Sequence, residues 1–129
     1  MNIGEKEARH LLDVLIYVRK AIIIAQTITG SGTEYEEMRQ LALERCIEII
    51  DEAFQHAGRD AAGQIDESLQ LNLSQLRYLV SRDYHQVNPE VLRRAAVQML
   101  PELVRRIEPL EDELYRIGRL EKPPISGPQ

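Results

Sequence analysis

The chain is short of several things that folds and functions are commonly built from. Of its 129 residues only Cys46 is a cysteine. That excludes an internal disulfide framework and any multi-cysteine zinc site, and it fits a reducing, cytoplasmic location. Tryptophan is absent and aromatic residues make up 5%, so aliphatic side chains must fill the core. A hydrophobic content of 43% is enough to do so. Positive charge is not in excess: 16 Lys and Arg face 21 Asp and Glu, for a net charge of -5. This balance argues against a protein that coats nucleic acid along its whole surface. Long apolar runs are also missing. The greasiest stretch, Leu11 to Ile28, is broken by Asp13, Arg19 and Lys20, which excludes a membrane span. The opening Gly4-Glu5-Lys6-Glu7 leads into a charged and apolar mixture with no look of a secretory signal. Proline does not occur before Pro89.

What is present is helical punctuation. The length fits one domain, expected over residues 1–120, with a Pro-rich flexible tail over 121–129. Between the glycine breaks at Gly30/Gly32 and Gly58/Gly63, apolar residues recur at the helical period. A first helix is expected from about Glu5 to Ile28. Its apolar residues fall on two adjacent stripes, Leu11/Leu15/Val18/Ile22/Ala25 and Leu12/Ile16/Ile23. A stripe so wide predicts neighbours on more than one side, either bundle partners or a second subunit. If Ile22 and Ile23 are fully buried there, truncating either should cost about 2–5 kcal/mol.

A second helix follows Thr33, an N-cap with Glu34, Glu36 and Glu37 in its first turn, where the helix dipole favours acids. Its stripe is Leu43, Cys46, Ile47, Ile50, Phe54, Ala57, and Gly58 stops it. A shorter third helix is expected from about Glu67 or Ser74 to Arg82. Asn88-Pro89-Glu90 then starts a fourth, which carries Leu92, Ala96, Met99, Leu103, Ile107, Leu110 and Leu114, with kinks at Pro101 and Pro109. The expected fold is all-α, an up-and-down bundle of four main helices.

Several chemical readings fail on spacing. Gly30-Ser31-Gly32 is too short for a phosphate loop and lacks a following lysine, so it reads as an interhelical turn. Glu44, Glu48, Glu52 and His56 recur every four residues, which drifts around a helix and has no second copy, so a di-metal bundle is not indicated. His10 with Asp13 reads as a surface histidine beside an acid. No metal or cofactor is expected. Cys46 lies in an apolar stripe and reads as a small buried hydrophobe.

The segment Leu76-Arg77-Tyr78-Leu79-Val80-Ser81-Arg82-Asp83-Tyr84-His85 remains. Two arginines, two tyrosines, an acid and a histidine gather at a helix end, and arginine forks pair with phosphate oxygens. Residues 1–72 hold seven basic and thirteen acidic side chains, while residues 73–129 hold nine and eight. An anion would approach the second half. Ion pairing of these arginines with the acidic first two helices is the alternative account of the same residues.

Three segments carry a family resemblance: Leu12-Asp13-Val14-Leu15-Ile16-Tyr17-Val18; Arg45-Cys46-Ile47-Glu48-Ile49-Ile50-Asp51-Glu52-Ala53; and Leu76 to Tyr84 with Val97-Gln98-Met99-Leu100-Pro101-Glu102-Leu103. Together they resemble the HepT-like (DUF86) branch of the HEPN superfamily, from about Ala8 to Tyr115. The family motif is R-x4-6-H, in this branch often R-N-x-x-x-H-x-Y. Arg77 matches its arginine and Tyr84 its tyrosine at the right spacing, while Arg82 stands in the histidine's place and Tyr78 in the asparagine's. The motif is therefore degenerate. Asp51 stands where glycine is common, and His85 falls beyond the motif's range.

The resemblance implies a homodimer, with metal-independent RNA cleavage at the dimer interface and a small nucleotidyltransferase (MNT-type) antitoxin as partner. That partner adenylylates the motif tyrosine in some systems, so by resemblance Tyr84 would be the acceptor. Histidine can pass a proton near neutral pH, whereas arginine stays charged. Replacing the one by the other keeps anion affinity and puts cleavage in doubt. The expected function is thus a HepT-like toxin–antitoxin component with a degenerate site at Arg77, Arg82 and Tyr84. The alternative is a catalytically inactive helical dimer that binds RNA or protein.

Overall fold

The computed structural model describes residues 2–58, 61 and 89–124. All regular structure among these residues is helical. Helix α1 spans Glu5–Thr27, α2 Glu34–Ala57, α3 Pro89–Ile107 and α4 Glu111–Gly118, with a 3-10 turn at Glu108–Leu110 between the last two. The expected third helix, over about 67–82, lies outside the described residues.

The α1–α2 hairpin follows from its ends. Glu5 and Glu7 occupy the first turn of α1, and the chain turns extended at Ile28, whose amide donates to the Ala25 carbonyl. The α2 N-cap is Thr33, as expected, with its hydroxyl accepting from the Glu36 amide. At the other end Gly58 adopts φ +90, which only glycine takes without strain, and α2 stops there.

Helix α1 is the hub of the fold: it packs along α2 and also against α3 and α4. Ala8, Leu11, Leu12, Val14, Leu15, Val18, Ala21 and Ala25 are buried on it, an arc of about half the circumference at 100° per residue. From α2 the core receives Leu43, Ile47, Ile50 and Phe54. From α3 come Leu92, Ala96, Leu100, Leu103 and Ile107, and from α4 Leu114. The width of the first-helix stripe is thus met largely by bundle partners. The burial expectation is corrected for the second stripe, because Leu12 is buried but Ile16 is 37% exposed and Ile23 63% exposed. Ile22 is half-buried. Ile16 and Ile23 fall outside the buried arc of α1, whereas Ile22 lies within it and packs against the core.

The expected long final helix is also corrected. Pro101 is accommodated inside α3, but Pro109 ends the helix rather than kinking it. Glu108-Pro109-Leu110 tightens into a 3-10 turn, and α4 begins anew at Glu111. This break brings α4 back across α1. The Arg9 Nε donates to the Gly118 carbonyl at 2.7 Å. A Cβ on Gly118 would lie 3.2 Å from the Arg9 Cγ, so the close approach is suited to glycine. The Arg19 guanidinium donates to Glu111 Oε1 and Oε2 at 2.9 and 3.2 Å and to Glu108 Oε2 at 2.8 Å. Beyond α4, Lys122 Nζ reaches Asp112 at 2.7 Å.

Candidate functional site

Arg77, Arg82 and Tyr84, the residues picked out by the sequence motif, lie outside the described residues, as does His85. What the structure describes are the two helix ends that flank them in the chain, and the polar groups elsewhere in the bundle.

The upstream end is the last turn of α2. His56 stacks there on His10 of α1, with ring centroids 5.3 Å apart and planes inclined by 28°. One turn earlier, Asp51 is buried at 4% exposure and accepts from Gln55 Nε2 at 2.8 Å. A carboxylate buried in an apolar stripe demands hydrogen-bonding partners. The downstream end is the first turn of α3. Glu90 takes Arg93 in a two-pronged pair at 3.0 and 2.5 Å, with Arg94 at 3.5 Å. The Arg93 hydrogen bonds hold the Glu90 carboxyl below its ordinary range. These α3 arginines therefore meet an acid on their own helix.

The best-satisfied polar group is Glu36. Its carboxylate accepts from the Thr29 amide and hydroxyl, the Gly30 amide at 2.9 Å, the Ser31 hydroxyl at 3.0 Å and the Gly32 amide at 3.0 Å. The Thr29 amide leads in depressing its pKa, which is lowered to about 2. The Gly30 and Gly32 amides and the Ser31 hydroxyl are thus spent on an internal carboxylate, which leaves the turn poorly placed to cradle a phosphate in this state. Sequence reasoning placed Glu36 as a first-turn acid but missed this role. The signal was available in Thr33-x-x-Glu36, the capping-box spacing, although here the side chain reaches the preceding loop instead of the cap residue's own amide.

Cys46 is buried, and desolvation pushes its thiol pKa up against the opposing charge of Lys20. It is packed as a hydrophobe and poorly suited to act as a nucleophile. Of the four-residue acidic series, Glu44 accepts from Gln40 and Glu48 pairs with Arg45. Among the described residues no group of three or more His, Cys, Asp or Glu is placed to hold a metal. No described helix is long and apolar enough to cross a membrane. Comparisons of the chain with protein-family models, curated proteins and solved structures find no match.

Proposed function

We propose that the chain is the HepT-like component of a HEPN/nucleotidyltransferase toxin–antitoxin pair, with an RNA endonuclease-type fold and a degenerate active motif. The observation that carries this reading is Arg77 and Tyr84 at the family spacing, with Arg82 in the histidine's place. Arg77 and Arg82 would hold RNA phosphates, since a guanidinium presents a charged fork that pairs with phosphate oxygens. The same permanent charge leaves Arg82 unable to pass a proton near pH 7. Tyr84 would be the residue that a nucleotidyltransferase partner adenylylates.

The family's site is composite, so the reading includes a homodimer. Exposed Ile16 and Ile23 on α1 support it, since they stand two helical turns apart and offer an apolar seam to a second copy. The work of such a dimer would be cytoplasmic. One observation favours a second reading, a helical dimer that binds RNA or protein and does not cleave: the same arginine in the histidine position.

Binding separates the two kinds of partner. The wild type should retain single-stranded RNA with an affinity that falls as salt rises. The Arg77→Ala/Arg82→Ala double variant should bind more weakly and with a shallower salt slope, because fewer counterions are released. Equal binding by wild type and double variant would remove RNA from the proposal and leave a protein partner.

A further inference from the structure

We propose that His10 and His56 together form a two-histidine site for a divalent transition-metal ion (zinc, nickel or copper) that bridges α1 and α2. The two rings come from different helices and stack with centroids 5.3 Å apart. His10 is half-buried and His56 is exposed, so solvent and a dissolved ion can reach the pair. Their separation is set by the core and not by the side chains alone. Leu11 and Val14 beside His10, and Phe54 and Ala57 beside His56, are each at most 2% exposed. The helices therefore hold both histidines in place before any ion arrives.

Imidazole nitrogen suits zinc, nickel and copper, whereas magnesium and calcium prefer oxygen. The stacked rings must turn for one nitrogen from each to converge on a single ion at about 2.0–2.1 Å. The terminal side-chain torsion of histidine is broad, and exposure leaves His56 free to make that rotation. With no third His, Cys, Asp or Glu placed beside them among the described residues, water completes the coordination. The result is an open, exchangeable site rather than a closed structural one. Asp13 and Glu52 lie one helical turn from the two histidines and add negative charge to the same end of the bundle. The sequence alone read His10 as a surface residue and His56 as part of a drifting acidic series. Only the α1–α2 register brings the two together. The inference is independent of the motif at Arg77, Arg82 and Tyr84.

The test is thermal unfolding of the untagged full-length chain with nickel, zinc or magnesium chloride. An ion bound only by the folded chain, at about ten times its dissociation constant, should raise Tm by about 3–6 °C. The rise should appear with nickel and zinc, be absent with magnesium, and weaken as pH falls because protons compete for imidazole. It should be lost in His10→Gln and in His56→Gln and kept in His85→Gln. Should a glutamine variant fail to fold, the wild type still decides: copper should broaden the ring NMR signals of two of the three histidines, His10 and His56. No rise in the wild type, a rise that survives loss of either histidine, or dependence on His85 would overturn the proposal.

Discussion

The clamp that returns α4 to α1 gives the most closely worked prediction. Arg19 reaches Glu111 through both carboxylate oxygens and Glu108 through one. The two legs are not equal. The Glu108 side chain is 57% exposed, the Glu111 side chain 14%, and the Arg19 side chain 38%. An exposed ion pair contributes about 0–1 kcal/mol, so Glu108→Ala should cost less than about 0.5 kcal/mol. The Glu111 leg is two-pronged and shielded, and after discounting for the open side of Arg19 it should couple by about 1–1.5 kcal/mol. Arg19→Ala should cost more, about 1.5–3 kcal/mol, because it leaves the sheltered Glu111 carboxylate without its partner. Urea unfolding of wild type, Arg19→Ala, Glu111→Ala and the double variant supplies the cycle. The Arg19 hydrogen bond holds the Glu111 pKa below the ordinary carboxylate range. Stability from that pair is therefore complete above the ordinary glutamate pKa and is lost as pH falls toward the lowered native value. The coupling should shrink in acid accordingly, and shrink partly in high salt. A coupling under about 0.3 kcal/mol, or a Glu108 effect larger than the Glu111 effect, would refute this account of the clamp.

The α1 faces predict a graded series, with Leu15→Ala costing about 2–5 kcal/mol, Ile22→Ala about 1–2 and Ile23→Ala under about 0.5 in the monomer. Comparable losses at Leu15 and Ile23 in chemical denaturation would show that Ile23 is covered. Glu36→Gln should lower the melting temperature at pH 7 and remove part of the acid sensitivity. The wild-type carboxylate contributes fully above the ordinary glutamate pKa and loses its contribution as pH falls toward about 2. Identical pH–stability curves for the two proteins would contradict its role as the anchor of the 29–32 turn. Light scattering at tens of micromolar should show a dimer that Ile16→Glu/Ile23→Glu weakens, and a wild-type monomer would remove the composite site.

The helices and their punctuation were legible because they depend on local chemistry. Thr33 as cap and Gly58 as stop both hold, as does most of the buried set on α1 and α2. Features that depend on tertiary register were not legible. Periodicity shows that Ile23 belongs to an apolar stripe but not that α2, α3 and α4 leave it exposed. Pro109 was read as a kink, since nothing local says whether a chain recovers its helical path or restarts after a tight turn. Arg19 gave no signal, because its partners Glu108 and Glu111 are remote in sequence. His10 and His56 were each unremarkable alone and become a pair only across the hairpin. The motif residues were read through the family resemblance and lie outside the described residues, so the structure adds nothing to that reading.

The central claim is that an RNA endonuclease-type site survives with its proton-transfer group replaced by Arg82. The most direct measurement is degradation of a mixed tRNA and mRNA pool, with chelator present, by wild type, Arg82→His and Arg77→Ala. General acid–base catalysis contributes about 10²–10⁴-fold, and arginine does not release its proton near pH 7. The account predicts little or no cleavage by the wild type and by Arg77→Ala, and at least about tenfold more by Arg82→His. Robust chelator-insensitive cleavage by the wild type, abolished in Arg77→Ala, would contradict the claim that the site has lost its catalytic group. Silence from all three, Arg82→His included, would contradict the claim that an endonuclease-type site survives.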